Sequence, residues 1–205
     1  MTDGYCSLNI VFDLGGVVVR WEPEALLAQS FADQATRELV QREFLAHPDW
    51  LELDRGTMTP PVAVTRAMAR TGLSERAIAA VLKNLPPSLA PIGATVELLQ
   101  LLKARGHGLY CLSNMHHASI DYLERTQDFC ALFTGKVISC RVNLCKPEAA
   151  IYAHLLSAFQ LNPLDTVFID DVEANLAAAR RFGMGTILFS DAAQCASALQ
   201  ALGCR

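Results

Sequence analysis

Five short runs along the chain are continuously apolar, β-branched or aromatic, which is typical of strands buried on both faces of a sheet. Segments with helical periodicity lie between the last four runs. Strands that alternate with helices in this way predict an α/β protein with a doubly wound parallel sheet. The predicted strands cover residues 7–12, 108–113, 136–139, 166–170 and 186–190.

Three helices are predicted between these strands. Apolar residues fill one side of segment 94–105, and Gly106 ends that helix. Segment 147–159 begins with a proline, whose missing N–H costs little in a first turn. The third predicted helix, 173–182, ends before a glycine.

The alternation breaks between residues 20 and 88, where several amphipathic segments occur and no convincing strand does. These segments are 23–31, 34–46, 61–71 and 74–85, and prolines mark both edges of the stretch. We therefore expect an all-helical insertion at residues 21–88 within a core made of residues 1–20 and 89–205.

The composition fits a folded protein without a polyanionic partner. Of 205 residues, 52% are hydrophobic and 19% are charged, which argues against disorder. A net charge of −4 gives no general reason to bind nucleic acid or an anionic membrane surface. No apolar run is long enough to span a bilayer, and the N-terminus lacks the pattern of a secretory signal. The sequence thus predicts a cytoplasmic protein, and leaves its oligomeric state open.

Polar side chains stand at the ends of two predicted strands. Glycines follow them in the first case, and a helix start follows them in the second. Asp13 ends the first apolar run and is followed by Gly15 and Gly16, and Ser113 and Asn114 end the second. Open α/β sheets keep their ligands at the carboxyl ends of the strands. Taken singly, the carboxylate could cap a turn and the hydroxyl could cap a helix, so both interpretations stay open.

Two further segments carry charge. Lys146 stands at the mouth of a predicted helix, where a cation is unfavourable unless an anion lies beside it, although a solvated lysine is the alternative. Asp170 and Asp171 end a buried strand together and would repel each other without a cation or hydrogen bonds. Magnesium, which takes oxygen ligands, suits such a pair.

In this order the four segments resemble the four motifs of the haloacid dehalogenase-like hydrolase superfamily, and the insertion looks like its small helical cap. In these motifs the chain resembles bacterial glucose-1-phosphate phosphatases and the N-terminal phosphatase domain of epoxide hydrolases. The resemblance implies Mg²⁺-dependent hydrolysis of a small phosphorylated metabolite, with a hexose phosphate as the first guess.

The resemblance also implies a role for each matching position. Asp13 would be the nucleophile that forms an aspartyl-phosphate. Glu173 and Asn175 would orient Asp171. Phosphate binding would fall to Ser113, Asn114 and Lys146, and the Mg²⁺ ligands would be Asp13, Asp170, Asp171 and the carbonyl of Gly15.

One position departs from the family pattern. Most phosphatases of this superfamily carry a second aspartate two residues after the nucleophile as general acid and base, and here that residue is Gly15. General acid–base catalysis contributes about 10²–10⁴-fold. We hypothesise that His116 or His117 substitutes, with two solvated histidines as the alternative.

Two other functions remain open. A catalytically weak binding or regulatory protein would explain Gly15, and a 2-haloacid dehalogenase would need a cap arginine, for which Arg20 and Arg55 are the candidates. Substrate specificity is expected from the cap, in the helix end and loop around residues 46–56. The candidate cap residues are Trp21, His47, Trp50, Asp54 and Arg55.

Overall fold

A single five-stranded sheet, with every neighbouring pair of strands parallel, forms the centre of the molecule in a computed structural model that describes residues 8–204. Numbered along the chain, the strands lie across the sheet in the order third, second, first, fourth and fifth. The predicted α/β fold with a doubly wound parallel sheet is confirmed. Ser7, at the start of the first predicted strand, lies outside the described residues. The strands are β1 (Asn9–Phe12), β2 (Gly108–Ser113), β3 (Gly135–Ile138), β4 (Thr166–Asp170) and β5 (Gly185–Leu188).

Eleven α-helices occur within the described residues, and the first five of them lie in the segment predicted as the insertion. These five are α1 (Pro23–Ala28), α2 (Gln34–Val40), α3 (Pro48–Arg55), α4 (Pro60–Thr71) and α5 (Glu75–Ser88). A π-helical turn, Gln41–Leu45, continues α2, and 3-10 turns occur at Asp128–Leu132 and Pro163–Asp165. The remaining helices are α6 (Gly93–Ala104), α7 (His117–Thr126), α8 (Ser139–Val142), α9 (Ala149–Ala158), α10 (Glu173–Arg180) and α11 (Ala192–Ala201).

Alternate residues of the strands enter two separate apolar cores, one on each face of the sheet. In β1, Ile10 and Phe12 pack on the side that holds α6 and α11, whereas Val11 packs on the side of α9 and α10. Side chains of a strand alternate between faces, so a continuous apolar run fills both cores.

The helical insertion is joined to the sheet by two chain segments that run side by side. Arg20 N–H donates to the carbonyl of Ala90 at 2.8 Å, and Ile92 N–H donates to the carbonyl of Val18 at 2.8 Å. These bonds place the start and the end of the insertion next to each other, beyond the carboxyl end of β1. The boundaries at residues 20/21 and 88/89 stay a prediction.

Three local predictions are corrected. The helix expected at 147–159 begins at Ala149, with Glu148 as its N-cap and Pro147 before it. Pro86 and Pro87, expected to follow a helix, form its last turn, where Leu85 and Pro86 are buried. The stretch expected to be a helix end and loop is helix α3. This helix follows an N-cap at His47 and ends at Gly56.

Helix α3 ends because Gly56 adopts φ +80°, in the left-handed region that favours glycine. A Cβ there would lie 2.6 Å from the carbonyl oxygen of Cys140, so a larger residue could not pack at this point. None of the helices in residues 8–204 combines the length and the apolar character needed to cross a membrane.

Candidate active site

The carboxyl ends of three adjacent strands bring the predicted polar residues to one edge of the sheet. Strand β1 lies between β2 and β4, with Phe12 paired to Cys111 on one side and to Ile169 on the other. Asp13 therefore emerges beside Ser113 and Asp170 at the ends of neighbouring strands. The parallel register, and not sequence proximity, assembles this part of the site.

Lys146 lies in the middle of this edge, bound to two carboxylates. Its Nζ atom is 2.8 Å from Oδ2 of Asp13 and 2.7 Å from Oδ2 of Asp170. The lysine is 3% exposed, Asp13 is 7% exposed and Asp170 is fully buried. Each buried charge thus has a partner in direct contact, without which its burial would be strongly unfavourable.

Burial and neighbouring charges shift the titration of these groups. Burial raises the pKa of Asp13 to about 6, against the opposing effect of Lys146. Burial alone would lower the pKa of Lys146, but Asp13 and Asp170 raise it on balance. The lysine consequently stays protonated beside the proposed nucleophile.

Asn114 holds the backbone of Lys146. Its Nδ2 donates to the Lys146 carbonyl at 2.9 Å, and its Oδ1 accepts from the Lys146 N–H at 2.8 Å. The sequence predicted Asn114 as a phosphate-binding residue and missed this contact across 32 positions. Asn114 also lines the cavity described below.

Asn175 holds Asp170 and not Asp171, which corrects the sequence prediction. Its Nδ2 donates to both oxygens of Asp170 at 3.0 Å, and Val172 N–H donates to Oδ1 at 2.8 Å. Glu173, also expected to orient Asp171, instead pairs with Arg180 on the exposed side of α10. Together with Lys146, these two donors hold the Asp170 carboxylate in place.

A divalent cation fits the three carboxylates at this edge. Oxygens of Asp13, Asp170 and Asp171 all lie within 4.8 Å of one another. Burial, followed by the charge of Asp170, raises the pKa of Asp171. Three carboxylates beside one ammonium leave the cluster net negative, and oxygen donors of this kind are the ligands that Mg²⁺ prefers.

The two glycines after Asp13 differ in what they tolerate. Gly16 adopts φ +74°, and a Cβ on it would overlap the carboxylate of Asp171. Gly15 is not in the left-handed region, and a Cβ on it would meet only Cβ of Trp21, at an ordinary distance of 3.9 Å. The backbone therefore requires glycine at position 16 but not at position 15.

A cavity of about 310 Å³ opens over the carboxylates. One group of lining residues is mainly polar and belongs to the sheet edge and the segments beside it: Asp13, Gly15, Ser113, Asn114, Lys146, Asp171 and Asn175. The other lining residues are mainly apolar, and half of them belong to the insertion: Trp21, Leu45, Trp50, Asp54, Leu85, Leu89, Met115, His116, Ser119 and Val172.

The candidate cap residues divide into two groups. Trp21, Trp50 and Asp54 line the cavity. His47 does not, because its Nδ1 accepts a hydrogen bond from Asp49 N–H at the start of α3. Arg55 also lies outside, since its guanidinium binds both carboxylate oxygens of Glu148, at 2.5 and 2.9 Å. That ion pair ties α3 to the N-cap of α9.

The two candidate histidines are placed differently. His116 is 4% exposed and lines the cavity. Its Nδ1 lies 3.4 Å from Oδ1 of Asp54, and its Nε2 lies 3.3 Å from Oγ of Ser119. His117 begins α7, is exposed and does not line the cavity, so it is not placed to substitute for the missing aspartate.

Sequence reasoning missed several wall residues. Leu45, Leu85, Leu89 and Met115 are apolar and buried, like the residues of the hydrophobic core. Nothing in their sequence context distinguishes a cavity wall from core packing. Ser119 was missed as well, although its position three residues after His116 on the same helical face offers a signal.

Several known proteins are similar to this chain in sequence. A model of the haloacid dehalogenase-like hydrolase family matches residues 9–183. The sesquiterpene phosphatase astK of Aspergillus oryzae is 28% identical over 195 residues, which span 95% of this chain and 96% of that protein. Bifunctional epoxide hydrolase 2 of Rattus norvegicus is 43% identical over 61 residues, which span 30% of this chain and 11% of that protein. The predicted family resemblance is confirmed.

Solved structures share the fold. A haloacid dehalogenase family enzyme from Bacteroides thetaiotaomicron, in complex with magnesium and inorganic phosphate, has a TM-score of 0.73 at 22% identity, covering 90% of this chain and 94% of that one. An L-2-haloacid dehalogenase has a TM-score of 0.69 at 22% identity, covering 88% of this chain and 85% of that one. At this identity the likeness concerns the fold alone.

The contrast between Gly15 and Gly16 gives a first prediction. We expect Gly16→Ala to lower the free energy of unfolding by about 1–3 kcal/mol, because the left-handed backbone is strained by a side chain. Gly15→Ala serves as the matched control and should change it by less than about 1 kcal/mol. Urea denaturation measures both, and equal destabilisation by the two variants would contradict the assignment.

Proposed function

Since this chain belongs to the haloacid dehalogenase-like hydrolases, we propose that it is a phosphatase that hydrolyses small organic phosphate monoesters through an aspartyl-phosphate on Asp13. The observation that carries the proposal is the buried Lys146 ammonium in contact with Asp13 at the floor of an open cavity. The full-length similarity to a sesquiterpene phosphatase supports it.

The nucleophile is held in one orientation by two donors. Leu14 N–H donates to Oδ1 of Asp13 at 2.7 Å, and Lys146 binds Oδ2. In the first step a carboxylate oxygen of Asp13 attacks phosphorus, and the ester oxygen leaves as the alcohol after it takes a proton. In the second step water attacks the aspartyl-phosphate, releases inorganic phosphate and restores the carboxylate.

Lys146 and Ser113 stabilise the charge of the transferring group. The ammonium lies beside the attacking carboxylate, and the Ser113 hydroxyl ends the neighbouring strand and lines the cavity. Lys146 is preorganised by Asp170 and Asn114, so that little reorganisation is needed when negative charge develops. Asp170 thus acts through the lysine that it anchors.

Asp13, Asp170, Asp171 and the backbone carbonyl of Gly15 are the proposed ligands of Mg²⁺. When bound, the ion would screen the repulsion between the carboxylate and the phosphate dianion. Asp171 is exposed, lines the cavity and occupies the space that a Cβ on Gly16 would need. Burial and, after it, the charge of Asp170 raise the pKa of Asp171, and a bound cation would oppose both effects.

Two observations favour a phosphatase over the alternatives. Arg20 is exposed and pairs with Glu22, and Arg55 pairs with Glu148, so neither candidate arginine reaches the cavity to bind a haloacid carboxylate. A binding protein has no need to keep a carboxylate oriented by a buried lysine. A cytoplasmic location and the hexose phosphate substrate stay predictions.

The nucleophile assignment predicts the effect of one conservative substitution. Asp13→Asn keeps the shape of the side chain and removes its nucleophilic charge, so we expect kcat on p-nitrophenyl phosphate to fall at least about 10³-fold. EDTA should abolish wild-type activity, and added Mg²⁺ should restore it. Glu97→Gln, on the exposed side of α6, is the control. Full activity of Asp13→Asn, or no activity of the wild type on a panel of phosphate esters, would refute the proposal.

The open space at Gly15 predicts a gain of activity. Gly15→Asp would place a carboxyl group where most family members have their general acid, and we expect kcat on an alkyl phosphate to rise about 10–100-fold. p-Nitrophenyl phosphate, whose leaving group needs no proton, should gain little. Gly15→Asn is the control of equal size without an acid, and an equal gain from both variants would contradict the explanation.

The cavity position of His116 predicts a role in proton transfer that His117 does not share. His116→Asn should change the shape of the pH dependence of kcat, because it removes the side chain that we propose as the proton carrier. His117→Asn, at the exposed neighbouring position, should leave the profile unchanged. Two unchanged profiles would eliminate histidine as the replacement for the missing aspartate.

A further inference from the structure

Much of the cavity lining is built from apolar side chains. We call this surface the apolar wall, and define it as Trp21, Leu45, Trp50, Leu85, Leu89 and Met115. The rings of Trp21 and Trp50 lie 6.2 Å apart and are tilted by 32°, which forms a continuous aromatic surface. Phe44 and His116 pack edge-on against Trp50 and hold it in place.

Three polar side chains beside the apolar wall contact one another. His116 contacts Asp54 through Nδ1 and Ser119 through Nε2, so both ring nitrogens are engaged. A substrate hydroxyl that hydrogen-bonded to the His116 ring would therefore have to displace one of these contacts. A buried hydroxyl without a hydrogen-bond partner is unfavourable.

The charged groups that line the cavity also indicate which substrates fit. Among the described residues that line it, Lys146 is the one lysine or arginine, and it is bound to Asp13 and Asp170. Beside the apolar wall stands an acid, Asp54, in contact with His116. A second phosphate or a carboxylate on the substrate would therefore find no lysine or arginine to pair with there.

We propose that the group released from the phosphate is a small, uncharged, apolar alcohol that packs against the apolar wall. This inference rests on the proposed phosphatase function and names its substrate class. It opposes the hexose phosphate expected from the sequence, whose several hydroxyls would lie against leucine, methionine and tryptophan. A volume of about 310 Å³ is at the lower end for small-molecule sites, roughly 300–1,000 Å³, and so limits the size of the alcohol.

A series of straight-chain alkyl phosphates from ethyl to octyl tests the proposal. Burial of one methylene group in the cavity should raise kcat/KM by up to about fourfold. We expect this rise to stop at the chain length that fills the cavity. Glucose 1-phosphate and glucose 6-phosphate should be hydrolysed at least about tenfold less efficiently than the best alkyl phosphate.

A pair of variants tests whether the apolar wall is responsible. Trp21 and Leu51 are each 37% exposed, but only Trp21 lines the cavity. Trp21→Ala should lower kcat/KM for the longest well-bound alkyl phosphate about tenfold more than it lowers kcat/KM for ethyl phosphate. Leu51→Ala, the matched control, should leave the whole series unchanged. Thermal unfolding of both variants confirms that they are folded.

The outcomes separate this inference from the proposed function. If the wild type hydrolyses no phosphate ester, the proposed function itself fails. If it hydrolyses phosphate esters but is insensitive to chain length or prefers hexose phosphates, the phosphatase stands and the apolar leaving group is wrong. Equal chain-length profiles for Trp21→Ala and Leu51→Ala would likewise overturn the role of the apolar wall.

Discussion

The site depends on one buried ammonium group shared by two carboxylates. Lys146 Nζ lies within 2.8 Å of both Asp13 and Asp170, and all three side chains are buried. Removing the lysine would leave two uncompensated acids in a region with little water, which is far more costly than losing an exposed ion pair. The arrangement also holds in place the carboxylate that we propose as the nucleophile. The stability of the fold and the proposed chemistry therefore require the same contact.

The charge balance around Lys146 explains why the rest of the sheet edge is organised as it is. Asn114 fixes the lysine backbone and Asn175 fixes Asp170, so neither partner can move to relieve the repulsion from Asp171. The remaining negative charge then faces the cavity. A hard divalent cation is favourable in such an environment.

The polar and the apolar lining residues of the cavity come from different parts of the fold. The polar side is set by parallel strands, whose hydrogen-bonded register leaves little freedom in the position of Asp13 or Ser113. The apolar wall is set largely by helices of the insertion, held by packing and by contacts such as the Arg55–Glu148 ion pair. A rigid reacting centre combined with walls supplied by helices lets the chemistry stay constant while the wall decides what binds.

The sequence alone determined the strands, the helical insertion and the identity of the charged residues at the site. Continuous apolar runs located every strand to within two residues, because strands buried on both faces leave no alternative pattern. Helix α3 was missed because a proline and many polar residues obscure its short apolar face. The contacts of Asn114 with Lys146 and of His116 with Asp54 join residues 32 and 62 positions apart. Only the tertiary structure decided these contacts and which leucines face the cavity, because local sequence preferences carry no information about which distant side chains meet when the sheet and the insertion pack together.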